Sequence, residues 1–201
     1  LTAGFISMGV NVVLVGPLPT PALTILSKSL RADFSVMITA SHNPYQDNGL
    51  KFFSGTGYKI TAEEEKKIED YYFNYDFDNF KIKPSYYGKA VRLKDAIGRY
   101  SEALKQNTFK NLDYTKLKVV LDCANGAAYK VAPEVLFEIG VELDSLGDKP
   151  NGININEKCG SLFPERASKL VKKRRSDVGI CLDGDGDRLI IIDEKGEPIF
   201  G

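Results

Sequence analysis

Several features that would point directly to a function are scarce in this 201-residue sequence. Lysine plus arginine number 27 and aspartate plus glutamate also number 27, so the formal net charge is zero. A general basic field, through which nucleic-acid-binding proteins attract their partners, is therefore lacking. No apolar run reaches the length that spans a bilayer, and no secretory signal peptide is recognisable. We expect neither a nucleic-acid partner nor a membrane partner.

Cysteine is also scarce, with three residues at wide and uneven spacing: Cys123, Cys159 and Cys181. An odd number argues against a disulfide framework, and the lack of any Cys-x-x-Cys pair argues against a zinc site. The composition therefore indicates a reducing, cytoplasmic setting.

Enough hydrophobic residues are present, 43% of the chain, to build a normal core. Predicted strands alternate with predicted helices, which is typical of α/β proteins with parallel or mixed sheets. The pattern breaks down between residues 76 and 88, so we predict two domains, residues 1–88 and 89–201. The sequence begins at Leu1 without methionine and ends at Gly201 within a predicted hairpin. We interpret it as part of a longer protein.

The first predicted unit is a strand, a helix and a second strand. Residues 10–15 form a short β-branched run between glycines, residues 22–32 have helical spacing of leucines, and residues 34–39 predict a buried strand. Such a β-α-β unit predicts parallel pairing of its two strands through a right-handed crossover. Further on, Thr61 followed by Glu64 predicts a capping box at the start of a helix.

The serine loop, residues 39–44, reads Thr-Ala-Ser-His-Asn-Pro and follows the second strand directly. Pro44 biases Asn43 away from helical conformation, so the chain turns there. Ser41 and His42, the sole histidine of the sequence, are thereby placed at the carboxyl end of a strand. Ligands of open α/β sheets bind at such ends. An ordinary polar turn is the alternative interpretation of these six residues alone.

The acidic loop, residues 183–188, reads Asp-Gly-Asp-Gly-Asp-Arg between two apolar strands. Carboxylates held about 4 Å apart repel by roughly 4 kcal/mol per pair at an effective dielectric near 20, and a bound cation relieves this cost. Oxygen ligands alone favour a hard ion such as Mg²⁺ or Ca²⁺, and the glycines let the carboxylates converge. The alternative is a surface turn with incidental acidic residues.

Two other kinds of site compete for the acidic loop. An EF-hand counted from Asp183 places acidic residues at its first, third, fifth and twelfth positions, but Arg188 occupies the sixth, where glycine is needed. Its flanks should be helices, whereas these are β-like. A phosphatase with an aspartate nucleophile at a strand end fits the acidic loop but leaves the serine loop unexplained.

Asn125-Gly126 is only a weak signal for a dinucleotide loop, because Gly-x-Gly-x-x-Gly is absent.

The serine loop followed by the acidic loop resembles the α-D-phosphohexomutase family, which carries a Thr-Ala-Ser-His-Asn-Pro type loop and an Asp-Gly-Asp-Gly-Asp-Arg metal loop in this order. The resemblance extends over essentially the whole chain. It implies most of the family's first domain and its second domain, ending near the start of the third. The implied fold is α/β, with two domains built on mixed or parallel sheets.

The resemblance also implies a mechanism, in which a phosphorylated serine exchanges phosphoryl groups with a sugar monophosphate through a bisphosphosugar. Ser41 matches the phosphorylated serine, and Arg188 matches the arginine beside it. His42 and Lys51 match positions that assist proton transfer and phosphate binding. The implied Mg²⁺ ligands are Ser41, through its phosphate, with Asp183, Asp185 and Asp187.

The sugar is less well specified than the chemistry. Residues 47–57 resemble most closely the family members that act on glucosamine phosphates, with mannose and glucose phosphates as alternatives. The family's sugar-recognition and phosphate-binding loops have no counterpart in these 201 residues, so we expect this chain alone to be inactive. A module that only binds a cation or a phosphosugar is the alternative from a different class. The sequence does not indicate an oligomeric state.

Overall fold

A computed structural model describes residues 1–76, 83–108 and 111–199. We call residues 1–92, which contain the serine loop, the serine-loop half, and residues 93–199 the acidic-loop half. The described helices and strands of the serine-loop half are α1, Thr2–Ser7; β1, Val12–Leu14; α2, Thr20–Leu30; β2, Phe34–Ile38; β3, Leu50–Ser54; α3, Ala62–Asn74; and β4, Ala90–Arg92.

The acidic-loop half continues the alternation of helices and strands, as the sequence predicts for an α/β protein. Its described elements are α4, Ala96–Gln106; β5, Lys118–Asp122; α5, Val131–Glu138; β6, Glu142–Leu146; α6, Glu165–Arg174; β7, Val178–Leu182; β8, Leu189–Ile192; and β9, Pro198–Ile199.

The acidic-loop half is built on one five-stranded sheet in the order β6-β5-β7-β8-β9. Strand β5 is parallel to β6 and β7, whereas β7 with β8 and β8 with β9 are antiparallel. Helix α6 packs on this sheet through Ala167 and Val171, which are fully buried with Val120, Cys181 and Ile192. The predicted α/β class with mixed sheets is confirmed.

The serine-loop half has no sheet of this size among its described residues. Strand β1 pairs with β4 in parallel, and β2 pairs with β3 in antiparallel orientation, as two separate two-stranded pairs. The prediction of a buried strand at residues 34–39 is correct about the strand but wrong about its burial. No residue of β2 is buried, because the strand has one partner and its two ends are exposed.

The predicted parallel pairing of β1 with β2 is also wrong. Within the described residues these strands share no ladder, and residues of both line a cavity of about 970 Å³. A right-handed helical crossover constrains the direction of the second strand, but it does not require the two strands to be neighbours. The cavity extends to the serine loop and to Asp185.

The two halves share a hydrophobic core formed by three helices. Leu26 of α2, Tyr100 of α4 and Val135 of α5 belong to one buried cluster. The strand β4, which follows the predicted domain boundary, pairs with β1, which precedes it. Residues 77–82 of the predicted boundary segment lie outside the described residues, and the boundary stays a prediction.

The capping box of α3 is confirmed, since Thr61 and Glu64 exchange both hydrogen bonds. Among the described helices, none combines the length and apolar character needed to cross a bilayer.

Candidate active site

The serine loop and the acidic loop, far apart in sequence, meet at one place. The hydroxyl of Ser41 lies 3.0 Å from Oδ2 of Asp183 and 3.1 Å from Oδ1 of Asp185. Each loop joins the two strands of an antiparallel hairpin, β2–β3 for the serine loop and β7–β8 for the acidic loop. The contact between the loops therefore links the two halves of the chain.

The backbone of Ser41 has the unusual conformation that this contact requires. Its φ is 57°, in the left-handed region that serine adopts rarely. The turn is held locally, because the amide of Ser41 donates to Oγ1 of Thr39 at 2.8 Å and the amide of Asn43 donates to the carbonyl of Ala40 at 3.0 Å. Strained backbone of this kind is common at functional sites, where surrounding contacts stabilise it.

The acidic loop is a tight turn between antiparallel strands. Oδ1 of Asp183 accepts from the amides of Asp187 and Arg188, both at 3.1 Å, which closes the turn across its base. One carboxylate oxygen from each of Asp183, Asp185 and Asp187 lies within 4.8 Å of the others. Because the flanks are the strands β7 and β8 rather than helices, the EF-hand interpretation is excluded.

The carboxylate of Asp185 accepts hydrogen bonds from two further elements of the serine-loop half, α2 and β3. Its Oδ2 accepts from the hydroxyl of Thr20 at 2.7 Å and from the ammonium group of Lys51 at 2.7 Å. Lys51 also donates to Oδ2 of Asp187 at 2.8 Å. Lys51, on β3, therefore lies between two of the three carboxylates and neutralises part of their charge.

Burial and these contacts have opposite effects on two neighbouring carboxylates. Asp183 and Asp185 are only 1% and 2% exposed. Burial raises the pKa of Asp183, and the repulsion from Asp185 raises it further. Burial also acts to raise the pKa of Asp185, but hydrogen bonds from Lys51 and Thr20 outweigh it, so this pKa lies below its ordinary value.

Arg188, the last residue of the acidic loop, contacts the serine loop through its side chain. Its guanidinium donates to the hydroxyl of Ser41 at 2.7 Å and contacts Nδ1 of His42. Because arginine has no acceptor, a hydrogen bond in this contact makes Nδ1 the acceptor and leaves Nε2 to carry the proton of the neutral ring. Nε of Arg188 lies 3.3 Å from Asp183, so the guanidinium contacts both loops.

The donor set of the acidic loop fits a hard divalent cation. Three converging carboxylates supply only oxygen ligands, as Mg²⁺ and Ca²⁺ prefer. The position of the Lys51 ammonium between two of them shows that the loop attracts positive charge. The structure therefore brings together every residue that the sequence singled out for the site: Ser41, His42, Lys51, Asp183, Asp185, Asp187 and Arg188.

Sequence reasoning missed several residues that build the site. The side-chain amide of Asn156 donates to the carbonyls of Ser41 and Asn43, and the amide of Thr20 donates to the carbonyl of Asp185 at 2.8 Å. The absence of a side chain at Gly184 lets the loops approach, since a Cβ there would lie 2.5 Å from the carbonyl of Ser41. Only the glycine stood within a recognised motif, so no local signal marked Asn156 or Thr20.

Comparison with known proteins finds matches over both halves of the chain. Residues 1–79 match the family model for phosphoglucomutase/phosphomannomutase, alpha/beta/alpha domain I, and residues 98–196 match the model for domain II. The chain is 53% identical over all its 201 residues to a phosphoglucosamine mutase of Geotalea uraniireducens and 54% identical to one of Zymomonas mobilis. It spans 44% of the length of each of these relatives.

Solved structures of phosphohexomutases share the fold of this chain. A phosphoglucomutase/phosphomannomutase family protein of Burkholderia thailandensis superposes with a TM-score of 0.82 at 26% identity, over 99% of this chain and 43% of that one. An N-acetylphosphoglucosamine mutase of Aspergillus fumigatus, at 18% identity over 90% of this chain and 48% of that one, shares the fold with a TM-score of 0.51. With both domain models matched in series and both loops in place, this chain belongs to the phosphoglucomutase/phosphomannomutase family, the α-D-phosphohexomutases.

Proposed function

We propose that the whole protein is a phosphoglucosamine mutase, which interconverts glucosamine 6-phosphate and glucosamine 1-phosphate through a phosphoserine and a bisphosphosugar. The observation that carries the proposal is the position of the Ser41 hydroxyl, within 3.1 Å of Asp183, Asp185 and Arg188. A serine hydroxyl surrounded in this way can carry a phosphoryl group. The hydroxyl of an ordinary turn serine does not require three charged side chains around it.

We infer that Mg²⁺ is the cation of the site. Its protein ligands would be Asp183, Asp185, Asp187 and a phosphate on Ser41, and when bound it would neutralise charge on the phosphoryl group. Phosphorylation adds a charge of roughly −1.5 to −2, which three carboxylates alone would repel. Arg188 and Lys51 are the cationic side chains already in contact with these groups.

In the proposed first step, a sugar hydroxyl oxygen bonds to the phosphorus on Ser41. The bond between phosphorus and Oγ of Ser41 breaks, and the proton of the sugar hydroxyl passes to a base. After the bisphosphosugar turns over, Oγ of Ser41 takes the other phosphoryl group by the reverse process. Such transfers depend mostly on positioning and charge stabilisation, which Arg188 at 2.7 Å from Oγ can supply.

His42 and Lys51 are the candidate proton-transfer and phosphate-binding groups of this chain. Imidazole is a common general acid or base, and His42 contacts Arg188, whose guanidinium donates to the hydroxyl of Ser41. Lys51 is held by Asp185 and Asp187, whose hydrogen bonds outweigh the effect of burial and raise its pKa. A lysine that stays protonated is suited to binding phosphate rather than to accepting a proton.

The choice of glucosamine rests on the curated relatives, since those at 52–54% identity over the whole chain are phosphoglucosamine mutases. A phosphomannomutase or phosphoglucomutase is the second candidate, because the family model covers both activities. The partner is in each case a small sugar phosphate. We place the protein in the cytoplasm, where its three free cysteines, all buried, would stay reduced.

The experiment that tests the proposal compares the whole protein with its Ser41→Ala variant. We expect the purified wild type to carry one phosphoryl group at Ser41, detected by intact mass and peptide mapping, and to interconvert the two glucosamine phosphates. Ser41→Ala should lose the phosphoryl group and several orders of magnitude of activity, with unchanged folding by circular dichroism.

Near-normal turnover by Ser41→Ala with glucosamine 1,6-bisphosphate supplied would refute the covalent mechanism. Parallel assays with mannose and glucose phosphates distinguish the second candidate. Binding of sugar phosphate without any turnover would favour a non-catalytic module. The 201-residue chain serves as a further control, because it should show no isomerisation: binding contacts from other parts of the protein contribute to the transition state.

A further inference from the structure

We propose that Asn156 is a positioning residue that clamps the backbone of the serine loop onto the acidic-loop half. Its consequence for catalysis rests on the proposed mutase function, whereas the clamp itself can be tested without it. Asn156 lies outside both recognised loops, in the long connection between β6 and α6. No charged or nucleophilic group of its own suggests a role, so its contacts carry the argument.

The side-chain amide of Asn156 uses both of its hydrogens on the serine loop. Nδ2 lies 3.0 Å from the carbonyl oxygen of Ser41 and 2.9 Å from that of Asn43. The two carbonyls flank His42, so one side chain holds the backbone on either side of the only histidine. Because the NH2 of an asparagine side chain has two hydrogens, these two carbonyls satisfy both of its donors.

Asn156 is itself firmly placed. It is 8% exposed, and its own amide donates to the carbonyl of Ala124 at 2.9 Å. Its φ of 57° lies in the left-handed region, which asparagine tolerates better than most residues. A Cβ at Gly184 would lie 2.7 Å from Nδ2 of Asn156, so the glycine leaves the space through which the clamp reaches the serine loop.

The clamp acts on a strained part of the serine loop. Ser41 has a φ of 57°, and the strand β2 that precedes the loop has no buried residue. Without bonds to the carbonyls of Ser41 and Asn43, the backbone can relax and turn the hydroxyl of Ser41 away from Asp183 and Asp185. Phosphoryl transfer needs the reacting atoms in line, so a small misplacement is costly.

The first test measures the clamp directly in the whole protein. Asn156→Gly removes the side chain and keeps the left-handed backbone without strain. The matched control is Lys158→Gly, because Lys158 is exposed, lies two residues away and also has a left-handed φ, 50°. Hydrogen-exchange mass spectrometry should show exchange in residues 39–48 faster by about tenfold in Asn156→Gly and unchanged in Lys158→Gly. Unchanged exchange in Asn156→Gly would overturn the clamp.

The second test measures the effect of the clamp on catalysis. We expect Asn156→Gly to lower kcat about tenfold while KM for the sugar phosphate changes less than about twofold, as for a group that acts on Ser41 and not on the sugar. Asn156→Asp keeps the shape and backbone tolerance but turns both donors into acceptors facing carbonyls, so it should lower kcat at least as much. Wild-type kcat in Asn156→Asp would overturn the positioning role. If the wild type has no mutase activity, the proposed function fails and the exchange comparison still decides the clamp.

Discussion

The two hairpins that form the site follow one plan but differ in how the rest of the chain supports them. In each, a helix leads to a strand, a functional loop and an antiparallel strand, as α2-β2-β3 and as α6-β7-β8. Strand β7 lies inside a five-stranded sheet and buries Gly179 and Cys181. Among the described residues strand β2 has one partner, and residues along it line the cavity of about 970 Å³.

This difference assigns different physical roles to the two loops. The acidic loop begins and ends at strands of a packed five-stranded sheet, so its backbone is supported by the core of the acidic-loop half. The serine loop and the strand β3 that follows it depend on contacts from the acidic-loop half. Asp183 and Asp185 contact the hydroxyl of Ser41, and Asp185 and Asp187 contact Lys51. Asn156 contacts the carbonyls of Ser41 and Asn43.

The largest effect concerns thiol reactivity, since all three cysteines lie buried in the acidic-loop half. Burial and the charge of Asp122 raise the pKa of Cys123 from its ordinary 9.0 to about 12 and that of Cys159 to about 11. Since the thiolate is the reactive form, modification by a thiol reagent at pH 8 should be at least ~1000-fold slower in the folded chain than in urea. The rate should rise with pH and reach no plateau below about pH 11.

A thiol placed in the serine-loop half gives the matched comparison. Val36→Cys on β2 is half-buried and should react at least ~100-fold faster than the three natural thiols. Equal rates for Val36→Cys and the natural cysteines would mean that the two halves are equally closed, and the contrast would fail.

The second prediction compares two isoleucines by urea unfolding of the 201-residue chain. Ile192 on β8 is 0% exposed, and Ile192→Ala should lower the free energy of unfolding by about 2–5 kcal/mol through lost burial and a cavity. Ile38 at the end of β2 is 56% exposed, and Ile38→Ala should cost less than about 1 kcal/mol. Similar losses for the two variants would contradict the difference in packing.

The third prediction concerns backbone opening, measured by hydrogen exchange on the same chain. Amides of β7, which bond to strands on both sides, should exchange roughly 100-fold more slowly than those of β2, which bonds to β3 alone. The parallel pair β5–β6 provides an internal reference within the larger sheet. If β2 is protected as well as β7, the serine-loop half is more stable than its burial indicates.

Much of the fold could be predicted from local patterns. The apolar run of β5, Val119–Leu121, is buried, as a central strand requires, and Thr61 with Glu64 marked the start of α3. The strands that pair with β1 and with β2 could not be predicted, because strand neighbours depend on long-range contacts that local periodicity does not encode. The same holds for the burial of β2, whose apolar sequence is compatible with either one partner or two.

The candidate site divides in the same way. Ser41 and the three aspartates stand in short motifs whose chemistry is readable from residue type and spacing. Thr20 and Asn156 each make two hydrogen bonds to the recognised loops, and these bonds depend on how distant segments come together. Asn156, for example, contacts Ser41, 115 positions away. Nothing in the neighbouring sequence distinguishes Asn156 from the two other asparagines of its loop, Asn151 and Asn154.

The last and smallest effect concerns Lys51, the cation that links the two hairpins. Its ammonium group lies 2.7 Å from Asp185 and 2.8 Å from Asp187, where it competes with a divalent cation for the same carboxylates. Lys51→Met keeps much of the side chain's volume and removes its charge. We expect it to tighten Mg²⁺ binding about tenfold, equivalent to ~1.4 kcal/mol, in isothermal titration of the unphosphorylated whole protein.

Lys59→Met is the matched control, because Lys59 follows β3 but pairs with Glu65 on the surface, and it should leave Mg²⁺ affinity unchanged. Weaker binding in Lys51→Met would mean that the lysine shapes the carboxylates for the cation and does not compete with it. The direction of the change therefore separates two roles for one contact. Tighter binding would mean that the ion pairs of Lys51 with Asp185 and Asp187 are lost when the cation binds. The serine loop would then be held by the contacts of Ser41, Arg188 and Asn156.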